Sequence, residues 1–198
     1  MAKRLFDLLA AGAGLLLLAP LLAAVALWIK LDSPGPVFFR QQRVGRHGVP
    51  FRIHKFRTMA HAPAAPGGPL LTVGADARIT RAGRWLRRTK LDELPQLLDV
   101  LAGTMSLVGP RPEVPRYVAL YPPALRAKVL SVRPGITDPA SLLYRDEGEM
   151  LGRAADPERE YVEVLLPAKL RCSAQYVESR SLAGDLRLIG RTVRAMWR

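Results

Sequence analysis

The stretch KRLFDLLAAGAGLLLLAPLLAAVALWIK, residues 3–30, decides what kind of chain this is. Between Asp7 and Lys30 run 22 uncharged residues, Leu8 to Ile29, of which 19 are hydrophobic; Gly12, Gly14 and Pro20 are the exceptions. Leucine, isoleucine and valine at about −0.3 to −0.6 kcal/mol each favour membrane insertion of this run by about 5 kcal/mol in total. A straight helix of that length is about 33 Å long, enough to cross a bilayer core. Three arrangements satisfy these facts. The helix spans; or it is a signal peptide, with Lys3 and Arg4 ahead of it and Ala24-Val25-Ala26 as the cleavage site; or it breaks at Pro20, dips into one leaflet and returns. Lys3 and Arg4 precede the run, and Lys30, Arg40, Arg43 and Arg46 follow it. Basic flanks favour the cytoplasmic side, which a single span cannot grant to both. Proline removes a helical hydrogen bond and crowds the preceding turn, so a bend is expected at Ala19-Pro20.

Outside this segment the chain is strongly basic. The 198 residues carry 30 Lys+Arg against 17 Asp+Glu, a net charge of +13 with a pI near 10.8. Residues 30–198 hold +12 of it. Such a balance suits a phosphate-rich partner: nucleic acid, anionic lipid or a nucleotide-bearing substrate. At 49% hydrophobic and 24% charged, wholesale disorder is excluded. The lone Cys172 excludes an internal disulfide and a cysteine-rich zinc site, and His47, His54 and His61 are too few for a histidine cage. An oxygen-ligated ion stays open. The chain thus divides into a membrane element, 1–32, and a basic domain, 33–198.

Ser33-Pro34-Gly35-Pro36 is a turn, and Val37 to Arg57 alternates like strands broken at Gly45, Gly48 and Pro50. Residues 60–75, rich in proline, glycine and alanine, read as a mobile loop. Helices are expected over Ile79–Arg88, Asp92–Leu101, once or twice within 115–131, and over Glu158–Glu178 with an interruption at Pro167. Gly109-Pro110-Arg111-Pro112 is a rigid turn, and Arg133-Pro134-Gly135 another. From Gly184 to Arg198 the spacing makes an amphipathic helix, with Arg187, Arg191, Arg194 and Arg198 on one face and Leu186, Ile189 and Val193 turned away. That helix packs on its own core or lies on an anionic membrane.

Asp92-Glu93 stands out because it follows the basic run Arg84, Arg87, Arg88, Lys90. As structure, Asp92 is an N-cap and Glu93 a first-turn acid, with Pro95 tolerated there. As chemistry, a helix N-terminus and nearby guanidinium groups favour the ionised carboxylate that a nucleophile needs. Two adjacent acids among arginines also suit a divalent cation shared with a phosphate. Arginines of the 84–90 run and of the Gly109–Pro112 turn would then clamp phosphate. The constellation points to phosphoryl chemistry and is silent on the substrate.

Ordered motifs sharpen this reading. Lys3-Arg4-Leu5-Phe6-Asp7, Ser33-Pro34-Gly35-Pro36-Val37-Phe38-Phe39-Arg40-Gln41 and Lys55-Phe56-Arg57-Thr58-Met59 resemble the small monotopic phosphoglycosyl transferases, the bacterial sugar transferase family. So do Leu91-Asp92-Glu93-Leu94-Pro95-Gln96-Leu97, Met105-Ser106-Leu107-Val108-Gly109-Pro110-Arg111-Pro112 and Val132-Arg133-Pro134-Gly135-Ile136-Thr137. The similarity runs from Lys3 to about Arg145 and resumes at Asp185-Leu186.

The resemblance implies an α/β chain, mostly α and irregular with few short strands. It would be monotopic, with a re-entrant helix-break-helix at Pro20, a cytoplasmic catalytic domain and membrane-surface amphipathic helices. It implies transfer of a sugar-1-phosphate from a UDP-sugar to polyprenyl (undecaprenyl) phosphate at the cytoplasmic face of a bacterial inner membrane rich in anionic phospholipid. Asp92 would be the nucleophile, releasing UMP in a ping-pong reaction. Glu93 would bind Mg2+, and Arg87 and Arg111, joined by Lys55 and Arg57, would hold substrate phosphate. Arg145, with Arg133, would hold the nucleotide. No nucleic-acid partner is expected, and a homodimer stays open. Two departures stand out: Ala19-Pro20 where many members have Ser-Pro, and Asp138-Pro139-Ala140-Ser141 where many continue Gly-Trp-Ala-Gln. The alternatives from other classes are a membrane-tethered nucleic-acid binder and a non-catalytic basic scaffold.

Overall fold

The computed structural model describes residues 2–60, 71–74 and 76–196. Within them the chain is mostly helical, with four short strands. The expected loop over 60–75 lies mainly outside the described residues, as does His61.

Helix α1 runs from Ala2 to Asp32, 31 residues, and is the one described helix long and apolar enough to cross a membrane. It continues through Pro20 without interruption, where separate helices flanking a break were expected. The proline lacks only the N–H that would reach the Leu16 carbonyl, and a long helix absorbs one such loss as curvature. One face of α1 lies along the rest of the molecule. Ala11 packs with Ile53, Leu97, Val100 and Met105; Val25 and Ile29 pack with Phe56 and Leu86. The other face is bare, with Leu16 and Leu17 82% and 81% exposed.

The alternating run after the Ser33–Pro36 turn forms an antiparallel hairpin, β1 (Phe38–Val44) and β2 (Pro50–Phe56), in register from Phe38 opposite Phe56 to Val44 opposite Pro50. Helix α2 (Arg81–Thr89) follows, its N-terminus capped by the Thr80 hydroxyl, which accepts from the Gly83 amide. Gly83 is required by space: a Cβ there would lie 1.9 Å from the Thr58 carbonyl oxygen. Lys90, left-handed at φ 58°, ends α2 and turns the chain into a 3-10 turn, Leu91–Glu93, ahead of α3 (Gln96–Leu101). The expected single helix over Asp92–Leu101 is therefore two pieces.

Strands β3 (Ser106–Val108) and β4 (Gly135–Thr137) pair in parallel, so Gly135 opens a strand instead of only closing a turn. Between them lie α4 (Pro115–Val118) and α5 (Pro123–Val129). Helices α6 (Pro139–Leu143), α7 (Glu147–Gly152) and α8 (Pro157–Glu160) are short. A π turn, Tyr161–Leu165, leads into α9 (Leu166–Ser179). The stretch stays helical through Pro167 but is not one regular α-helix: the π turn, in which the Leu166 amide reaches back to the Tyr161 carbonyl, ends just ahead of the proline. The largest apolar core joins Tyr117, Val129, Tyr161, Leu165 and Leu170 across these helices.

Helix α10 (Leu182–Met196) closes the fold. Leu188 and Ile189 turn inward onto Val108 and Tyr176. Leu186 and Val193 stay half exposed beside Arg187, Arg191 and Arg194, so the apolar residues expected to turn away from the arginines are divided between core and surface. Trp197 and Arg198 lie outside the described residues.

Candidate active site

Asp92 and Glu93 sit in the turn between α2 and α3, both carboxylates nearly out of solvent. Three elements converge on them. Strand β2 brings Lys55, and its position is fixed by the neighbouring residue: buried Asp99 of α3 accepts from the His54 amide at 2.8 Å and lies 2.7 Å from His54 Nδ1. Hairpin and acid-bearing segment are thereby tied together. The Gly109–Pro112 turn brings Arg111. Its backbone is locked from both ends, the Gly109 amide donating to the Thr137 carbonyl and the Gly135 amide to that of Pro110. The strands approach so closely that a Cβ on Gly135 would lie 2.0 Å from the Gly109 nitrogen.

Glu93 is clamped between the two cations. Arg111 donates to it through both terminal nitrogens, at 3.1 and 2.5 Å, and Lys55 Nζ lies 2.7 Å from Oε1. Burial alone would raise the Glu93 pKa; the charges of Arg111 and Lys55 overcome it and hold the carboxyl well below the usual range.

Asp92 differs. Its Oδ2 is 3.9 Å from Lys55 Nζ, and its buried Oδ1 has no hydrogen-bond partner among the described residues. The expected N-cap role is absent: Lys90 precedes the turn, and Pro95 occupies the cap position of α3 without a side-chain bond. Nor do guanidinium groups win by favouring the ionised form. Burial pushes the Asp92 pKa up, with Glu93 adding to it, against the opposing pull of Lys55. Burial with so few partners disfavours the charged form of Asp92 in the resting site.

The other expected site residues fare unequally. Arg87 lies in the last turn of α2, close enough for its charge to act on Asp92. Arg57, expected on substrate phosphate, is a correction. It is 4% exposed, and all five of its donors are engaged locally. Nε donates to the Pro36 carbonyl, Nη1 to Ser33 Oγ and the Pro34 carbonyl, and Nη2 to the Ile29 and Ser33 carbonyls. It therefore fastens the end of α1 to β2 and has no donor left for phosphate. Arg57→Ala should lower stability by about 3 kcal/mol, since several buried carbonyls lose their donors. Thermal unfolding in detergent checks this; a loss below about 1 kcal/mol would return Arg57 to the phosphate site.

Arg133 Nε donates to the Gly103 carbonyl at 2.8 Å, and Arg145 makes no hydrogen bond or ion pair among the described residues. Neither makes a hydrogen bond or ion pair with Asp92 or Glu93 among the described residues. The divergent segment ahead of Arg145 has a structural reason. Asp138 is wholly buried and caps α6, accepting from the Ser141 amide and hydroxyl and from the Ser173 hydroxyl.

Sequence reasoning did not single out Gln96. It is 2% exposed, and its Nε2 has no partner among the described residues. Its only signal was a spacing of four residues from Asp92.

No cluster of three or more His, Cys, Asp or Glu suited to a metal occurs among the described residues. The Asp92–Glu93 pair still fits magnesium, which takes one or two carboxylates and fills its shell with water and substrate phosphate. The Glu93 carboxylate and Asp92 Oδ2 are donors of that type, and neither requires the unpartnered Oδ1.

Comparison with known proteins agrees with the motifs. A family model described as bacterial sugar transferase matches residues 1–198. The UDP-glucose:undecaprenyl-phosphate glucose-1-phosphate transferase of Caulobacter vibrioides is 41% identical, covering 96% of this chain and 68% of its own length. The exopolysaccharide production protein PSS of Rhizobium leguminosarum is 41% identical, covering 96% and 92%. The UDP-N-acetylgalactosamine-undecaprenyl-phosphate N-acetylgalactosaminephosphotransferase of Aeromonas hydrophila is 37% identical over 98% of this chain, which spans only 43% of that relative. With the family matched end to end, and Lys55, Asp92-Glu93 and Arg111 from three of its motifs meeting at one buried site, the chain belongs to the bacterial sugar transferases.

Proposed function

We propose that the protein is a phosphoglycosyl transferase that moves a sugar-1-phosphate from a UDP-sugar to undecaprenyl phosphate by way of a phospho-aspartate on Asp92. The observation that carries this reading is the buried, unpartnered Asp92 oxygen beside a cationic clamp. A carboxylate doing structural work would be bonded; this one is held ready. In the first step its oxygen attacks the β-phosphorus, the bridging P–O bond breaks, and UMP leaves with the electron pair. In the second step a phosphate oxygen of the acceptor attacks the same phosphorus and returns Asp92 to its free form. One difficult transfer between a soluble donor and a lipid acceptor becomes two easier ones.

Lys55 and Arg111 neutralise Glu93 in the resting site. As the diphosphate enters, the same cations offer their donors to its oxygens, leaving the Glu93 carboxylate available to magnesium. Bound there, magnesium would offset the diphosphate charge and that of departing UMP.

The membrane arrangement follows from where α1 is fastened. At its start Arg4 donates to the Val100 carbonyl at 2.8 Å, Lys3 pairs with Asp185 at 2.5 Å, and Asp7 accepts from Ser106 at 2.8 Å. At its end Arg57 holds the Ile29 and Ser33 carbonyls, and Asp32 accepts from the Ala82 amide. Both ends being bound to one folded body supports a helix that enters one leaflet and keeps its ends on the cytoplasmic side of the inner membrane. Next to that end Trp28 and Trp85 pair at 5.5 Å, and Arg81, Arg84 and Arg88 stand exposed on α2. Aromatic and basic side chains together suit the headgroup level, where an acceptor phosphate lies.

In a Cys172→Ser background, cysteines at positions 2 and 47 should both label from the cytoplasmic side alone. Periplasmic labelling at position 2 would mean a spanning helix. The reaction itself is tested with detergent-solubilised protein, undecaprenyl phosphate and a panel of UDP-sugars, read by UMP release. At least one donor should give release that stops on chelating magnesium. No release from any donor would favour the scaffold reading.

A further inference from the structure

We infer that the Gln96 side-chain amide is a catalytic donor to the transferring phosphoryl group, a role that rests on Asp92 being the nucleophile. Two unpartnered polar atoms in this part of the molecule carry the inference. Asp92 Oδ1 is an acceptor without a donor, and Gln96 Nε2 a donor without an acceptor, each on a residue more than nine-tenths buried. Leu94 and Pro95 between them are right-handed helical, so residues 92 and 96 lie one turn apart on the same face. Complementary groups at that spacing could satisfy one another, yet they do not bond. Leaving both unpaired in the interior costs stability.

A phosphoryl group answers both vacancies together. Its phosphorus accepts the Asp92 oxygen, while a non-bridging oxygen, gaining charge as the bond to UMP breaks, accepts the N–H of Gln96. Lys55 and Arg111 bring charge to the diphosphate, so a neutral donor one turn from Asp92 adds an uncharged hydrogen bond that the cations do not supply. An N–H aimed at developing charge in a dry site acts chiefly on the transition state. Its removal should therefore slow the first step and leave donor affinity nearly alone.

The test is the rate of the single-turnover UMP burst with UDP-sugar and magnesium and no acceptor, for wild type, Gln96→Met, Gln96→Glu and Asp92→Asn. Gln96→Met should slow the burst on the order of 100-fold, with a melting temperature equal to or above that of wild type because an unpaired donor has gone. Gln96→Glu keeps the shape but turns a carboxylate toward the phosphoryl oxygens, and should be slower still. Donor affinity, measured in the Asp92→Asn background with and without Gln96→Met, should change by less than about threefold.

A residue that merely filled the core would give the opposite pattern, an altered melting temperature with an unaltered burst. A burst within about threefold of wild type in either Gln96 variant overturns the inference. If Asp92→Asn itself gives a full burst, the nucleophile reading fails and takes the Gln96 role with it. A silent Asp92→Asn beside a normal Gln96→Met rejects the Gln96 role alone.

Discussion

Asp92→Asn should abolish turnover, with a loss at least on the order of 1,000-fold, and leave the protein folded and membrane-bound. An amide has nearly the shape of the carboxylate but is a poor nucleophile. The substitution also removes a charge whose burial is unfavourable, and the Oδ1 it replaces bonds to nothing among the described residues. Stability should therefore hold or rise slightly while activity vanishes. Paired measurements of UMP release and thermal unfolding check both halves. An asparagine variant with near-normal release would remove Asp92 from the nucleophile role.

Arg111→Met acts through a different route and should damage both activity and stability. Arg111 gives Glu93 two of its three close cation contacts, and its own pKa is raised chiefly by the Glu93 charge beside it. Removing one partner of a fully buried pair destabilises by about 3–5 kcal/mol. Because the Arg111 side chain is 34% exposed and Lys55 remains, about 2 kcal/mol is the expected loss here. Turnover should fall on the order of 100-fold or more, since a clamp on developing phosphate charge disappears with it. Arg111→Lys should recover part of the stability and little of the rate, because a single ammonium cannot reproduce the two-pronged contact. A lysine variant as fast as wild type would show that Arg111 serves only to neutralise Glu93.

What was legible in the sequence was what short-range chemistry determines. The hairpin showed in the alternation from Val37 to Arg57 and in its breaks at Gly45, Gly48 and Pro50. The acidic pair showed because two carboxylates stood alone after a basic run. The Gly109–Pro112 turn showed through its prolines, and the structure uses it to set Arg111 against Glu93. What stayed hidden depended on distant partners. Nothing in the letters around Arg57 says that its donors meet the carbonyls of residues 29–36, so it reads like any arginine of a basic strand. Of the two readings Asp92 invites, cap and nucleophile, the first rests on Asp before a leucine-rich run usually being a cap. The left-handed Lys90 diverts the chain and leaves the carboxylate unbonded. Gln96 had only its four-residue spacing from Asp92 as a cue, since an amide becomes notable only once its burial is known. At Pro20 the expected break does not divide α1 into separate helices, because one missing N–H does not end a 31-residue helix.

The covalent step on Asp92 is tested most directly by rapid quench of wild-type enzyme mixed with UDP-sugar and magnesium, without acceptor. A nucleophilic Asp92 predicts a stoichiometric burst of UMP and a phosphosugar adduct on the peptide containing Leu91-Asp92-Glu93. The adduct should discharge when undecaprenyl phosphate is added, and neither burst nor adduct should form with Asp92→Asn. Direct transfer predicts no burst, no adduct and steady-state rates of the ternary-complex pattern, and that result would contradict a phospho-aspartate at Asp92.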